Sequence, residues 1–302
     1  MNRFFDFVEI RTKITSLFAF AISLALLYYH GIPIKSRETA VFFASMFIFD
    51  LTTTAINNYI DTKTNGQQLA YQRSLARNII FAMLVLAGGL GLYLAYLTDL
   101  VVLLTGVLCF FCGIVYTYGP VAISRIPLGE LLSGIFYGFF IPFLMAHINL
   151  PSGSIISYGM DGSRLQLGIN LAYLGAIVFL AVAPTLTTAN IMLANNTCDL
   201  EKDLQVNRFT LVSYIGIPRA LKLYKWLYLL SFAGILLTVA FKIAPGVSLL
   251  AVAFGLPPAL KNIRTFEAKQ KKEETFVTSI KNYVLINGLF LLTILLGILL
   301  KR

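Results

Sequence analysis

The stretch LAYLGAIVFLAVAPTLTTANIMLANNTCDLEKD, residues 171–203, decides how the chain reads. Residues 171–194 form an apolar run of bilayer-spanning length, since about 20 such residues cross a hydrocarbon core of about 30 Å. A polar ladder follows at once. Asn195, Asp199 and Asp203 are spaced four apart, so on a helix their oxygens stack along one face. A second copy lies earlier in the chain: Asn57-Asn58-Tyr59-Ile60-Asp61, then Asn65, also at the end of an apolar run. Two Asn-Asn-x-x-Asp motifs at two membrane boundaries call for a shared chemical role.

The composition agrees with a membrane setting. Hydrophobic residues make up 58%, charged residues 13%, and the mean hydropathy is +0.79. Soluble domains run to about 45–50% apolar and about 25% charged. Spanning-length runs occur at 14–30, 39–60, 77–97, 99–117, 127–147, 171–194, 222–241, 246–262 and 281–300. The expectation is an all-α integral membrane protein with about nine transmembrane helices, forming one domain over residues 1–302. A break is expected at Thr98-Asp99, and Pro257-Pro258 interrupt the eighth run. The first run lacks a small-residue cleavage site and reads as a retained helix rather than a signal peptide.

Nine crossings sort the loops into two sets. Of the 24 Lys and Arg residues, 18 fall at the N-terminus and in loops 2–3, 4–5, 6–7 and 8–9, and 6 fall on the other side. The positive-inside rule then places the N-terminus and both motif loops in the cytoplasm of a multi-pass cell-membrane protein, with the C-terminus outside. The net charge of +10 is explained by these loops, and no nucleic-acid partner is expected. Cys109 and Cys112 share one helix face inside an apolar run and read as packing. His30 and His147 fall at the outer ends of helices and read as surface residues without a metal role. The basic run 261–272 reads as a solvated loop facing lipid headgroups.

Asp50, Thr54, Asn57 and Asp61 fall at spacings of four, three and four, one stripe of a helix. A charge at membrane depth costs at least about 2.5–3.5 kcal/mol, so the stripe must face the bundle interior or a wet cavity. Thr53, Thr54 and Thr187 are explained by interhelical hydrogen bonds alone. The two acidic ladders are not. Carboxylate and amide oxygens are hard ligands that suit Mg²⁺, Ca²⁺ or Mn²⁺. Mg²⁺ takes one or two carboxylates and completes its shell with water and phosphate oxygens. The expected ligands are Asn57, Asp61, Asn195, Asp199 and Asp203, with the three aspartates central to catalysis. The cations around them (Lys63, Arg73, Lys202 and Arg208) suit a phosphorylated substrate. A site at the membrane surface adds a lipid tail, so a polyprenyl diphosphate fits.

The paired motifs resemble those of the intramembrane aromatic prenyltransferases, the UbiA superfamily, a family of nine-helix proteins with both motifs on the cytoplasmic side. Val115–Pro120 (VYTYGP), Pro127–Leu132 (PLGELL), Asn207–Leu211 (NRFTL) and Val8–Lys13 (VEIRTK) are similar to segments of the 1,4-dihydroxy-2-naphthoate polyprenyltransferase branch. The resemblance implies transfer of a polyprenyl group to that aromatic acid, with decarboxylation and formation of demethylmenaquinone. It implies Mg²⁺ as cofactor, with Mn²⁺ as a substitute. Tyr116 is expected at the diphosphate and Tyr118 near the allyl cation. Arg11 or Lys13 is expected to hold the acceptor carboxylate, with Asp50, Glu130 and Asn58 nearby. Glu130 has a second reading, a buried acid bonded to a neighbouring helix. Gly134 and Gly138 form a G-x-x-x-G of close helix packing. Another acceptor, such as 4-hydroxybenzoate, and an ion-coupled transporter are the alternative functions.

Overall fold

The structure, a computed structural model, describes residues 3–63, 68–119 and 122–301, with the Arg11 side chain excepted. Asn65 of the first motif lies outside the described residues. Each of the nine predicted runs coincides with a helix: α1 Ile14–Tyr29, α2 Ser36–Asp61, α3 Arg73–Leu97, α4 Leu100–Val115, α5 Gly129–Asn149, α6 Leu171–Cys198, α7 Ile217–Ala240, α8 Leu249–Ala268 and α9 Val277–Lys301. Among the described residues, seven are long and apolar enough to cross a membrane. The other two, α1 and α4, are apolar but only 16 residues long, or about 24 Å. The chain breaks at Asp99 as expected, where the side chain accepts from Val102 N–H (3.1 Å) and caps α4. The interruption expected at Pro257-Pro258 does not occur, and α8 runs through both prolines. Lost backbone hydrogen bonds of this kind are tolerated in bundles where neighbouring groups re-satisfy the carbonyls.

α6 is the hub, packing against α5, α7 and α9. Its contact with α5 is close at two glycines. A Cβ built on Gly134 would lie 2.6 Å from Thr185 O, and one on Gly138 would lie 2.2 Å from Thr185 N. The expected glycine packing is therefore real, and its partner is the backbone of α6 beside Pro184. Side-chain amides tie α6 to its other neighbours. Asn287 Nδ2 on α9 donates to Thr187 Oγ1 (2.9 Å), and Asn190 Nδ2 donates to Tyr224 O on α7 (2.9 Å). Within α5, residues Phe136–Phe140 form a π-helical turn, in which hydrogen bonds span five residues instead of four.

One element was not expected. Between α5 and α6, Ile156–Asp161 (β1) and Arg164–Ile169 (β2) form an antiparallel hairpin. Gly162, at φ 57, makes the turn. The pairs Ile156–Ile169, Tyr158–Leu167 and Met160–Leu165 put an apolar row on one face. The alternation was visible in the sequence, but six-residue strands were overlooked between two long helical runs.

The two ends of the bundle differ. At the end with the hairpin, His147 Nε2 meets Asp99 Oδ2 at 2.8 Å, and His30 Nε2 meets Ile243 O at 2.8 Å. His147 is buried, not the surface residue its position suggested. A helix-end carboxylate gave it a reason to turn inward. At the opposite end, loops 2–3, 4–5, 6–7 and 8–9 converge.

Candidate active site

The converging loops are joined by direct contacts. Asn57 on α2 accepts a hydrogen bond from Thr117 Oγ1, just past α4. Arg208, after α6, donates through Nε to Ser124 O (2.9 Å), and Phe209 N–H donates to Arg125 O (3.0 Å). Lys272, between α8 and α9, forms an ion pair with Asp199. Asn58 Nδ2 donates to Phe7 O (3.0 Å), which fastens the N-terminal segment to α2.

Local geometry explains how the acids reach this space. Asp61 is the last residue of α2, and Asp199 caps the C-terminal end of α6. Helix C-termini carry the negative end of the backbone dipole and unpaired carbonyls, so each acid sits where a cation is already favoured. Asp203 is one turn further on, in the short helix Leu200–Gln205. Asn207 then takes a left-handed conformation (φ 54), which Asn tolerates better than most residues. That turn folds Arg208 back, so its N–H donates to Asp203 O (2.9 Å) and its Nη1 lies 3.7 Å from Asp203 Oδ1.

The charges are mutually coupled. Arg208 and Arg125 act on the Asp61 carboxylate, and Asp203 feels Arg208, Asp199, Lys272 and Asp61. Burial pushes the Asp203 carboxyl above the ordinary aspartate range, and Arg208 partly offsets this. The other oxygen of Asp203, Oδ2, is buried without a hydrogen-bond partner among the described residues. No three His, Cys, Asp or Glu side chains among the described residues gather tightly enough to hold a metal unaided. Hard oxygens on two helix ends, one of them an orphaned carboxylate oxygen, suit a Mg²⁺ ion whose shell is completed by phosphate oxygens.

Other expected residues fall in several places. Tyr116 is held inward, its OH donating to Gly129 O (3.4 Å), within the fields of Glu130 and Arg208. Tyr118 is exposed and lines a cavity of about 460 Å³ with Ile60, Thr117, Gly119, Ala122 and Arg125. Arg73 donates to Tyr59 O and Thr62 O (3.0 Å each), so it closes the end of α2. Lys63 lies 5.2 Å from the Tyr59 ring centroid. Lys202 is exposed and without a partner among the described residues. Asn195 stands one turn before Asp199, whose N–H donates to Asn195 O (3.0 Å).

Three residues expected at the acceptor, Lys13, Asp50 and Glu130, are engaged inside the protein. Lys13 is buried, and its Nζ donates to Asp50 Oδ1 and to Asp50 O (2.9 Å each) and to Thr54 Oγ1. Asp50 also accepts from Ser16 Oγ (2.6 Å) and Tyr137 OH (2.7 Å). This network holds α1, α2 and α5 together and leaves Lys13 no free charge for a ligand. Glu130 is a buried acid bonded to a neighbouring helix, one of its two readings. Its Oε1 accepts from Asn196 Nδ2 on α6 (2.7 Å), while Oε2 is buried and unpartnered among the described residues.

Sequence reasoning missed Lys272 and Arg125. Lys272 belongs to the run read as a solvated loop, but a partner 73 residues away draws it onto the second motif. Arg125 was counted only as a loop charge.

No curated protein sequence matches the chain. A solved UbiA homologue from Aeropyrum pernix K1 superposes with a TM-score of 0.66 at 15% identity, covering 95% of this chain and 97% of its own. A structure of digeranylgeranylglyceryl phosphate synthase gives 0.65 at 15% identity, covering 98% and 97%. A UbiA homologue from Archaeoglobus fulgidus, bound to GPP and Mg²⁺, gives 0.63 at 14% identity, covering 98% and 99%. At such identities these likenesses establish the fold. The sequence profile of the UbiA prenyltransferase family matches residues 16–299, nearly the whole chain. With two asparagine–aspartate motifs closing one end of a helical bundle, the chain belongs to the UbiA prenyltransferase family.

Proposed function

We propose that this protein transfers a polyprenyl group from its diphosphate to 1,4-dihydroxy-2-naphthoate, with loss of the carboxylate as CO₂, giving demethylmenaquinol, the hydroquinone form of demethylmenaquinone. One observation carries the reading: Asp61, Asp199 and Asp203 share a charge-coupled space with Arg208 and Arg125 at one end of the bundle. Family membership supports prenyl transfer. A relative that binds GPP and Mg²⁺ supports the donor and the ion. The naphthoate acceptor rests on the sequence resemblance.

Asp61, Asp199 and Asp203, with Asn57 and Asn195, would hold Mg²⁺. When bound, the ion neutralises charge on the leaving diphosphate. Arg208 and Arg125 add fixed positive charge there, and Lys63, Arg73 and Lys202 supply more at the rim. The allylic C–O bond breaks with its electron pair leaving on the diphosphate. The ring faces of Tyr116 and Tyr118 favour the carbocation, and the helical bundle excludes water from it. The acceptor ring carbon forms the new C–C bond, and cleavage of its carboxylate bond returns the electrons to the ring. Glu130 places an acceptor oxygen beside Tyr116, suited to a phenolic hydroxyl. The motif end faces the cytoplasm of the cell membrane, with the N-terminus on that side and the C-terminus outside.

The test is incubation of purified protein with Mg²⁺, a prenyl diphosphate and either aromatic acid, followed by mass spectrometry. Prenylated, decarboxylated naphthoate is expected. A prenylated 4-hydroxybenzoate that keeps its carboxylate, with naphthoate untouched, overturns the acceptor assignment. No product from either acid overturns the enzyme reading.

A further inference from the structure

Lys272, from the loop between α8 and α9, forms a direct ion pair with the motif acid Asp199. It lies in the turn Lys269–Phe276, which is braced independently of the motif. Thr275 Oγ1 donates to Lys269 O (2.7 Å) and accepts from Lys271 N–H (3.0 Å). Lys271 O receives the N–H groups of Glu274 (3.2 Å), Thr275 (2.9 Å) and Phe276 (3.2 Å). Thr275 is buried, and Phe276 packs on the core formed by α7, α8 and α9. The backbone that carries Lys272 is thus anchored. Its side chain is held only at the tip, by Asp199: Lys272 is 43% exposed, while Asp199 is only 14% exposed. A lysine has a flexible four-carbon stem and a compact ammonium with three donors.

This places a partly exposed positive charge on a flexible stem against a shielded carboxylate that also belongs to the expected metal set. Two cations cannot share one such carboxylate without strong mutual repulsion. The ammonium, once released, has a fixed base and only a few ångströms of reach. A diphosphate held by the neighbouring Arg208 lies within the same coupled set of charges, since Asp203 feels both Lys272 and Arg208.

We propose that Lys272 is an exchangeable counter-ion: it neutralises Asp199 in the empty site, yields that carboxylate to the divalent cation, and moves onto the diphosphate of the incoming donor. The inference rests on the prenyl-diphosphate reading above. It assigns to the α8–α9 loop a role in ordered loading, in which metal and donor bind more tightly together than either does alone.

The exchange has a signature that a merely structural residue cannot give. In Lys272→Ala, Mn²⁺ binding to the donor-free protein, followed by electron paramagnetic resonance, is expected to tighten about threefold or more, because a competitor for Asp199 is gone. Binding of a non-reactive prenyl thiodiphosphate, measured by calorimetry with Mg²⁺ present, is expected to weaken about tenfold, the value of one charge-assisted contact. Lys272→Arg should restore the donor affinity. Shifts of both affinities in one direction, or in neither, overturn the proposal while the enzyme reading stands. Failure of the unaltered protein to bind the thiodiphosphate at all overturns both.

Discussion

Glu130 on α5 accepts a 2.7 Å hydrogen bond from Asn196 on α6, and each of the two residues keeps one buried oxygen with no partner among the described residues. Buried acceptors left open in this way cost about 1–3 kcal/mol each. Such a cost persists where a ligand group later completes the bonds.

Glu130→Gln preserves shape and a hydrogen bond to Asn196 but removes the charge. It should melt close to the unaltered protein while prenyl transfer falls. Glu130→Ala leaves the Asn196 amide stranded and should lose stability as well, by about 1–3 kcal/mol. Thermal unfolding in detergent beside a turnover assay reads both. Full activity in Glu130→Gln would show that the acid is there for packing alone.

Lys13 makes a contrasting case. Its ammonium is the buried partner of Asp50, so Lys13→Met leaves an uncompensated carboxylate and should cost about 3–5 kcal/mol. Lys13→Met with Asp50→Leu should recover much of that loss, as replaced ion pairs often do. Yield and melting temperature follow the effect. A raised KM for the acceptor with unchanged stability would instead return Lys13 to the acceptor site.

How far these roles could be read from the sequence depends on range. The stripe Asp50, Thr54, Asn57, Asp61 was legible because helical periodicity alone puts it on one face. The convergence of both motifs followed from the parity of the crossings. Lys272 on Asp199 and Lys13 on Asp50 were not legible, because their separations of 73 and 37 residues carry no periodic signal. The same holds for Arg125, whose role depends on Arg208 folding back against Ser124. The hairpin was missed for another reason: its alternating pattern lies in the sequence but spans only six residues per strand.

Gly138 gives a steric prediction. Any Cβ there must displace the α6 backbone at Thr185. Gly138→Ala should destabilise by about 1–3 kcal/mol or more, the usual cost of overpacking. It should also lower activity, since α6 carries the second motif. Gly175, which meets nothing within 4 Å, is the control and should accept alanine quietly.

The pH dependence has a definite sign. Burial raises the Asp203 carboxyl above its unfolded value. The native state therefore binds this proton more tightly, and the group's contribution to stability is present at low pH and lost as pH rises between the two values. Metal binding needs the anion and runs the opposite way. The acid limb of Mn²⁺ affinity should lie above the ordinary aspartate range. Arg208→Ala removes the opposing charge and should move that limb to higher pH, and Asp203→Asn should leave only the limb set by Asp61 and Asp199. An acid limb that stays put in Arg208→Ala would detach it from Asp203.

The π-helical turn at Phe136–Phe140 acts as a spare tooth in α5. One extra residue shifts all that follows by about 100° around the helix axis, since an α-helix makes a turn every 3.6 residues. Gly134 and Glu130 before it face α6, while His147 after it reaches Asp99. Removing a single residue there would leave a better helix and a misaligned protein. One half of α5 would keep its partners and the other would turn away from them, so insertions and deletions in this segment are bound to be far less tolerated than substitutions.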